Sequence, residues 1–167
     1  MALQSHLWLK GQTQGAINGS ITQKGRENSI GVIAVSHEVV SPRDAASGLP
    51  TGKRMHKPFV ITKELDKATP LLYNALIKNE NIPDWSLKFY TPGIKAIQNA
   101  GMEVNHYTVQ LLNGNIASIH FKMANNKHPE LMKFAEYEEI AFTYQKITWT
   151  WKDGGITGMD DWEAPNA

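Results

Sequence analysis

Short runs of alternating apolar residues, separated by Gly, Asn, Asp and Pro, are the feature that most restricts how this chain can fold. In GVIAVSHEVV, residues 31–40, one parity carries Ile33, Val35 and Val39 and is clearly more apolar than the other. A period of two is typical of a strand with one buried face. Several such runs bounded by turn residues predict a mainly β domain.

A second pair of runs flanks Asn113-Gly114, a dipeptide that suits a type I′ turn. HYTVQLL alternates before this pair, and IASIHFKM alternates after it. The sequence therefore predicts a β-hairpin with its turn at these two residues.

One helix is predicted, in ATPLLYNALIKN at residues 68–79. Thr69 is expected to cap it, Pro70 suits the first helical position, and Leu72, Ala75 and Leu76 share one face. The helix should be short, about two to three turns. If the two leucines are buried, replacing either with Ala should lower the free energy of unfolding by about 2–5 kcal/mol.

The run EEIAFTYQKITWTW, residues 138–151, changes parity partway. Ile140 and Phe142 lie on one parity, whereas Trp149 and Trp151 lie on the other. A bulge would produce this shift. The alternative is a strand whose two faces are buried by different things at its two ends, for example a barrel interior first and a helix or neighbouring subunit later. This alternative anticipates an oligomer.

Composition excludes several classes of function. Seventeen basic against sixteen acidic residues, without a block of like charge, disfavour nucleic-acid binding and an anionic membrane surface. Absence of Cys removes disulfides, thiolate nucleophiles and sulfur-ligated zinc. The first fifteen residues fit neither a Sec signal nor a membrane span, so we expect no membrane insertion and export by another route.

Sequence patterns for catalysis or metal binding are weak. The six histidines show no His-x-His, His-x-x-x-His or His-Glu-x-x-His spacing. No Gly-x-Ser-x-Gly elbow occurs, and Ser36-His37 would point to opposite faces of a strand. We expect no catalytic residue, no cofactor and no metal.

The stretch HKPFVITKELDKATP, residues 56–70, concentrates charge around a short apolar centre. Pro58 places it at the start or edge of a strand, with His56 at the entrance and Lys63 on the same face as Lys57. Charged side chains at a strand-to-helix turn are expected to be solvated. On this interpretation, His56→Ala should destabilise the fold much less than Leu72→Ala.

Between predicted strands that end near Val40 and begin near Met55, residues 41–54 show no periodicity and contain two Pro and two Gly. Unstructured connections of this length are usually functional or disordered. Two interpretations stay open from composition alone, a solvated connection and a functional segment.

Resemblance to a known family rests on segments that follow one another along nearly the whole chain. They are LWLKG, GAINGSI, HKPFVITKELDKATPLLYNAL, YTVQLLNGNIASI, EEIAFTYQKITWTWKDGG and DDW. In this order the chain resembles the haemolysin-coregulated protein (Hcp) family, the tube-forming component of type VI secretion systems.

That resemblance implies a compact β-barrel of two sheets, with one short flanking α-helix and a long extended loop. It implies a single domain over residues 1–167 with a flexible C-terminal tail at about 153–167. Six copies would close head-to-tail into a ring, and rings would stack into a hollow tube. Contacts with an adjacent subunit or ring are assigned by analogy to Ser41, Pro42, Arg43, Asp44, Leu49, Pro50, Thr51, Lys53, Arg54, Trp149 and Trp151.

The implied partners are further copies of the chain, a spike protein of the VgrG type, a contractile sheath around the tube and effector proteins in the lumen. The implied location is the bacterial cytoplasm before assembly and then the medium or a target cell. Two other classes stay open at this point: a barrel that binds a small ligand, and a hydrolase with an unrecognised site.

Overall fold

The chain is mainly β with one short helix, as the sequence predicts. The computed structural model describes residues 4–92 and 103–163. Its elements in chain order are β1 (Gln4–Gly11), β2 (Gly15–Ala16), β3 (Ile30–Val32), β4 (Ala34–Ser36), β5 (Val39–Val40), β6 (Met55–His56), β7 (Phe59–Glu64), α1 (Thr69–Ile77), β8 (Ile82–Pro92), β9 (Glu103–Lys122), β10 (Tyr137–Thr143), β11 (Lys146–Trp151) and β12 (Ile156–Asp161).

All strands except β5 and β6 belong to one antiparallel sheet. Its path runs β2-β1-β8-β9-β10-β7-β4, and β3 pairs with β1 while β11 pairs with β9 and β12. The segment that contains β3 and β4 pairs with β1 through its first half and with β7 through its second half. The path has open ends, and the two-sheet barrel stays a prediction.

The hairpin predicted at Asn113-Gly114 is wrong. Both runs belong to the single strand β9, which continues through the dipeptide. Asn113 has a φ of 51°, and the buried positions move from odd residues such as Leu111 to even residues such as Ile116. The kink lets the first half of β9 pair with β8 and β11, and the second half with β10. A positive φ therefore bends the strand here without reversing it.

The parity change in residues 138–151 reflects a break between two strands. β10 ends at Thr143 and β11 begins at Lys146, and each pairs with a different half of β9. A register shift also lies between Ala141 and Phe142. Both Phe142 and Ile147 are fully buried within the chain. The described fold accounts for the change of phase without a neighbouring subunit.

Two other boundaries differ from the sequence prediction. Residues 31–40 form parts of three short strands, β3, β4 and β5, and Ile33 is exposed rather than half-buried. The flexible tail proposed from residue 153 contains β12, which pairs with β11 along its whole length. The flexibility of this tail stays a prediction, although residues 156–161 form a paired strand, and residues 164–167 lie outside the described part.

Helix α1 closes one side of the core. Leu72 and Ala75 are buried and Leu76 is half-buried, which confirms the predicted apolar face. The predicted cap is wrong, because Ala68 occupies the N-cap position and no side chain caps the helix. Thr69 instead donates from its hydroxyl to Glu138 Oε1 at 2.9 Å.

Beneath the first turn of α1 lies a buried group of charged side chains. Lys63 and Glu138 have no exposed side-chain surface, and Lys63 Nζ donates to Glu138 Oε1 at 2.7 Å. The same ammonium also contacts Asp66 Oδ1 at 3.0 Å and donates to the Glu64 carbonyl and the Thr69 hydroxyl. The expectation that charge around this turn is solvated is therefore wrong for Lys63.

Candidate subunit-contact surface

Residues 39–56 form an ordered two-stranded hairpin, which we call the arm. Strands β5 and β6 make its base, and the ladder continues outward with Thr51 N–H donating to the Pro42 carbonyl at 3.0 Å. An isolated bridge then joins Arg43 and Pro50. The connection between Val40 and Met55 is thus backbone-paired, although its sequence shows no alternation.

Asp44 organises the tip of the arm. Its Oδ2 accepts hydrogen bonds from the Ser47 backbone N–H at 2.9 Å and from the Ser47 hydroxyl at 2.6 Å. The side-chain hydrogen bond from Ser47 is the main reason why the pKa of Asp44 lies below its ordinary value. Gly48 follows with a φ of 71°, a conformation that L side chains rarely adopt. These local bonds shape the tip without help from the rest of the fold.

Most of the predicted contact residues on the arm face solvent. Leu49 is 65% exposed. Pro42 and Asp44 are half-buried. The exposed members of the predicted set are Ser41, Arg43, Leu49, Pro50, Thr51 and Lys53.

Arg54, a predicted contact residue, binds within the same chain through its guanidinium, and a contact with another copy stays a prediction. It forms a bidentate pair with Asp160 of β12, with Nη2 donating to Oδ1 at 2.7 Å and Nε donating to Oδ2. Nη2 also donates to the Asp161 carbonyl at 3.0 Å. The hydrogen bond from Arg54 is the largest cause of the lowered pKa of Asp160. Arg54 therefore ties the base of the arm to the body of the fold.

His56, next to this pair, is also part of the anchor. Its side chain is 2% exposed, with Nε2 2.6 Å from Asp160 Oδ2 and Nδ1 2.8 Å from the Tyr144 hydroxyl. The same hydroxyl lies 2.7 Å from His37 Nε2. His56 is at a strand entrance, as predicted, but it is enclosed there rather than solvated.

The two predicted tryptophans have different environments. Trp149 is half-buried against the core, and its ring centroid lies 6.5 Å from that of His37. Trp151 is 48% exposed and contacts His106 edge-on at 5.8 Å. Of the pair, Trp151 offers the larger surface to another molecule.

Several large apolar side chains outside the arm are exposed as well. Extended exposed apolar surface usually marks an interface. The most exposed of these side chains in the described part of the chain are Ile33, Ile77, Met123, Met132, Phe134, Ile156 and Met159.

Sequence reasoning missed the anchor of the arm and the buried ion pair. The partners of His56 are 88 and 104 positions away, and Lys63 and Glu138 are 75 positions apart. No local spacing reveals contacts of that separation. The only available signal was the concentration of charged residues in HKPFVITKELDKATP itself.

A comparison with family models decides what kind of protein this is. The model described as "Type VI secretion system effector, Hcp" matches residues 6–151. The chain belongs to the Hcp family. This confirms the resemblance that the sequence segments indicate.

Known relatives agree with this assignment over nearly complete chains. The "Major exported protein" of Pseudomonas aeruginosa is 38% identical to the chain and is covered over 99% of its length, with 100% of this chain included. A solved Hcp protein matches with 32% identity and a TM-score of 0.88, covering 98% of this chain and 100% of the other. Mutant Hcp1 from an E. coli EAEC pathovar matches with 33% identity and a TM-score of 0.82, covering 95% and 98%.

Hcp proteins are structural components of the type VI secretion tube and not enzymes. Family membership therefore confirms that the chain is a tube protein without catalytic function, and it supports secretion by the type VI route. No described helix is both long and apolar enough to cross a membrane. Within residues 4–92 and 103–163, no cluster of three or more His, Asp or Glu could hold a metal ion.

Proposed function

We propose that this tube protein closes head-to-tail into a hexameric ring, and that rings stack into a hollow tube that carries effectors. The arm and Trp151 supply contacts between copies. A spike protein of the VgrG type and a contractile sheath are the further partners of the tube. The chain assembles from the bacterial cytoplasm and is then delivered to the medium or a target cell.

The observation that carries this proposal is the contrast between the base and the tip of the arm. Arg54 and His56 hold the base through three hydrogen bonds to Asp160. Beyond them the hairpin is ordered, yet Leu49 near its tip is 65% exposed. Ordering the backbone of the arm costs conformational entropy, and because the outer arm buries no core residue, it offsets little of that cost in the monomer. A contact with another copy explains why this structure is kept.

Ring closure also needs a second surface, because head-to-tail contacts join two unlike patches. The outer strands β11 and β12 offer one candidate. Trp151, Ile156 and Met159 are all at least 48% exposed there. An interface between the arm of one copy and an apolar patch of the next is consistent with these exposures.

Leu49→Arg tests the assembly, with Leu49→Met as a matched control that keeps an apolar side chain. Because Leu49 is exposed, neither change should unfold the monomer. We expect rings for the wild type and for Leu49→Met, and mainly folded monomer for Leu49→Arg, by native mass spectrometry and sedimentation velocity. A wild type that stays monomeric at micromolar concentration would contradict the ring, and intact rings in Leu49→Arg would contradict the role of the arm.

Export is tested separately from assembly. The same three proteins are expressed in a bacterium with an active type VI system, and the culture medium is assayed for each. We expect the wild type and Leu49→Met in the medium, and Leu49→Arg retained in the cells. Equal export of all three would show that the arm is not needed for delivery.

A further inference from the structure

Both strands of the arm are attached to a single hydroxyl group of the body. His37 precedes β5 by two residues, and its Nε2 lies 2.7 Å from the Tyr144 hydroxyl. His56 belongs to β6, and its Nδ1 lies 2.8 Å from the same oxygen. Tyr144 itself is buried between β10 and β11. One buried oxygen therefore links the two ends of the arm.

The number of protons on this oxygen restricts the charge of the two imidazoles. Burial, with the charge of Asp160 adding to it, raises the pKa of Tyr144 far above its ordinary value, so the hydroxyl keeps its single proton. A hydroxyl donates once and accepts at its lone pairs. With both imidazoles neutral, His37 Nε2–H donates to the hydroxyl, the hydroxyl donates to His56 Nδ1, and His56 Nε2–H donates to Asp160.

One added proton fits this arrangement after the hydroxyl rotates and His37 changes tautomer, so that its ring proton lies on Nδ1 and Nε2 can accept. A protonated His56 donates from Nε2 to Asp160 and from Nδ1 to Tyr144, and the Tyr144 hydroxyl then donates to His37 Nε2. Asp160 lies 2.6 Å from His56 and supplies the opposite charge. His37 Nε2, the Tyr144 hydroxyl and both ring nitrogens of His56 therefore each keep a hydrogen-bond partner.

A second proton has no place in this arrangement. If His37 and His56 are both charged, each directs an N–H at the same oxygen, and the hydroxyl proton has neither imidazole as an acceptor. Burial lowers the pKa of His37 below its ordinary value, and the charge of His56 lowers it further. The other neighbours of the two imidazoles are neutral rings: Phe59 and Trp149 lie against the half-buried His37, and Trp162 lies against His56.

The charged groups around the site do not remove this restriction. Arg54 binds Asp160 in a bidentate pair on the β12 side, so the nearest cation faces the carboxylate and not the imidazoles. Lys57 and Glu38, the chain neighbours of the two histidines, pair with each other at 3.2 Å on exposed surface. Asp161 faces Arg54 through its carbonyl. No described carboxylate other than Asp160 contacts either imidazole.

We propose that His37, His56 and Tyr144 form a clasp that holds the arm closed with at most one bound proton and releases it when the second proton binds. In the released state His37 is solvated, and its pKa returns to the ordinary value of about 6.5. The released state therefore binds more protons than the closed state. Falling pH favours release, and the closed arm has its full stability above about pH 6.5.

Hydrogen–deuterium exchange of the full chain measures release directly. Peptides that cover residues 39–56 are followed at several pH values between about 7.5 and 5, with rates corrected for intrinsic exchange. In the wild type, we expect protection of the arm to fall by up to about tenfold per pH unit below about 6.5, because release takes up one proton. Constant protection over this range would overturn the proposal.

Variants separate the clasp from general acid sensitivity. His37→Gln keeps a side-chain amide that can bond to Tyr144 but cannot take the second proton, so the fall in protection should be largely abolished. His120→Gln is the matched control, since His120 is exposed on β9, and it should behave like the wild type. An undiminished fall in His37→Gln would overturn the clasp.

The wild-type protein provides a test that does not depend on a variant. Imidazole resonances followed by NMR should show that the protonation of His37 coincides with opening of the arm. Opening that precedes any change at His37 would overturn the mechanism.

A link between the clasp and assembly rests on the proposed function. If the arm joins copies in the ring, the population of rings should decrease over the same pH range in which the arm is released. Arm release without rings at any pH would contradict the proposed ring and leave the clasp supported. Ring loss in acid with a fully protected arm would contradict the clasp.

Discussion

Lys63 and Glu138 form an ion pair with no exposed side-chain surface, and it joins the strand before α1 to β10. Two buried charges lose their hydration, and the mutual attraction offsets that loss only when the remaining polar atoms are bonded. Lys63 meets this condition through its contacts with Glu64, Asp66 and Thr69, whereas Glu138 Oε2 is buried without a hydrogen-bond partner among the described residues. The pair therefore fixes the start of α1 more than it adds net stability.

Removing one partner of this pair should be severely destabilising. Lys63→Met or Glu138→Leu leaves a buried charge without its partner, and we expect a loss of about 3–5 kcal/mol in the free energy of unfolding. The double variant should recover most of the loss, because no unpaired charge remains. Denaturant unfolding of all four proteins forms a double-mutant cycle that measures the coupling.

A control for this cycle lies on neighbouring strands. Lys122 and Glu139 pair at 3.0 Å between β9 and β10, but each side chain is 36% exposed. Single replacements there should change stability much less than those at the buried pair. Equal effects at the two pairs would show that burial is not what makes the Lys63–Glu138 pair sensitive.

The helix face provides a second prediction. Leu72 is fully buried, so Leu72→Ala should lower the free energy of unfolding by about 2–5 kcal/mol. Leu76 is half-buried, and its replacement should have a smaller effect than the sequence alone suggests. Ile77, which is 75% exposed on the same helix, is the control, and its replacement with Ala should change stability by at most about 0.5 kcal/mol.

His56 requires a revised prediction. The sequence places it in a solvated turn, where truncation would be nearly neutral. In the structure its ring is 2% exposed and bonds to Tyr144 and Asp160. His56→Ala should therefore destabilise the fold by about 1–3 kcal/mol, because buried polar atoms lose their partner. Unfolding in denaturant at about pH 7.5 measures it, and a neutral effect would restore the original interpretation.

Sequence patterns correctly predicted the elements that depend on residues close together in the chain. The apolar spacing of Leu72 and Ala75 places α1 correctly, and the strands that flank residues 41–54 begin and end close to the predicted residues. The error at Asn113-Gly114 has a physical reason. A positive φ at Asn113 is compatible with a kink in a long strand and also with a hairpin turn. The pairing of β9 with β8 shows that it is a kink.

The contact surface was predicted less completely, because its anchor depends on distant residues. Nothing near Arg54 in the sequence indicates that Asp160 will bind it, or that Tyr144 will bind both histidines. The family resemblance assigned contacts to residues 41–54 by analogy, and those contacts stay a prediction. Sequence reasoning missed the residues that hold the arm to the body of the fold.

Glu80 supports a prediction about acid stability. Its Oε1 accepts the backbone N–H groups of Thr13 and Gln14 at 2.6 and 2.8 Å, closing the turn between β1 and β2. Burial alone would raise the pKa of Glu80, but the hydrogen bonds from Gln14 and Thr13 outweigh it, and the pKa lies below its ordinary value.

The lowered pKa of Glu80 gives stability that is present above the unfolded-state pKa, about 4.3, and is lost as the pH falls through the folded-state value. Glu80→Gln removes this titration while keeping a similar shape. We expect Glu80→Gln to be less stable than the wild type at about pH 7 and to lose less stability on acidification to about pH 3. Parallel pH profiles of the two unfolding free energies would contradict this prediction.

Shortening the arm tests whether its outer part serves the monomer at all. Replacing residues 42–51 with an Asn-Gly turn retains Arg54, His56 and the paired strands β5 and β6, and closing the shorter loop has a slightly smaller entropic cost. The variant should stay folded, with unfolding cooperativity like that of the wild type, but it should form few rings or stacked tubes and should not be exported.

Negative-stain microscopy, denaturant unfolding and an export assay on the same preparation check these outcomes. Normal rings, tubes and export together would show that the outer arm is only a solvated connection, whereas an unfolded variant would show that the hairpin supports the body of the fold.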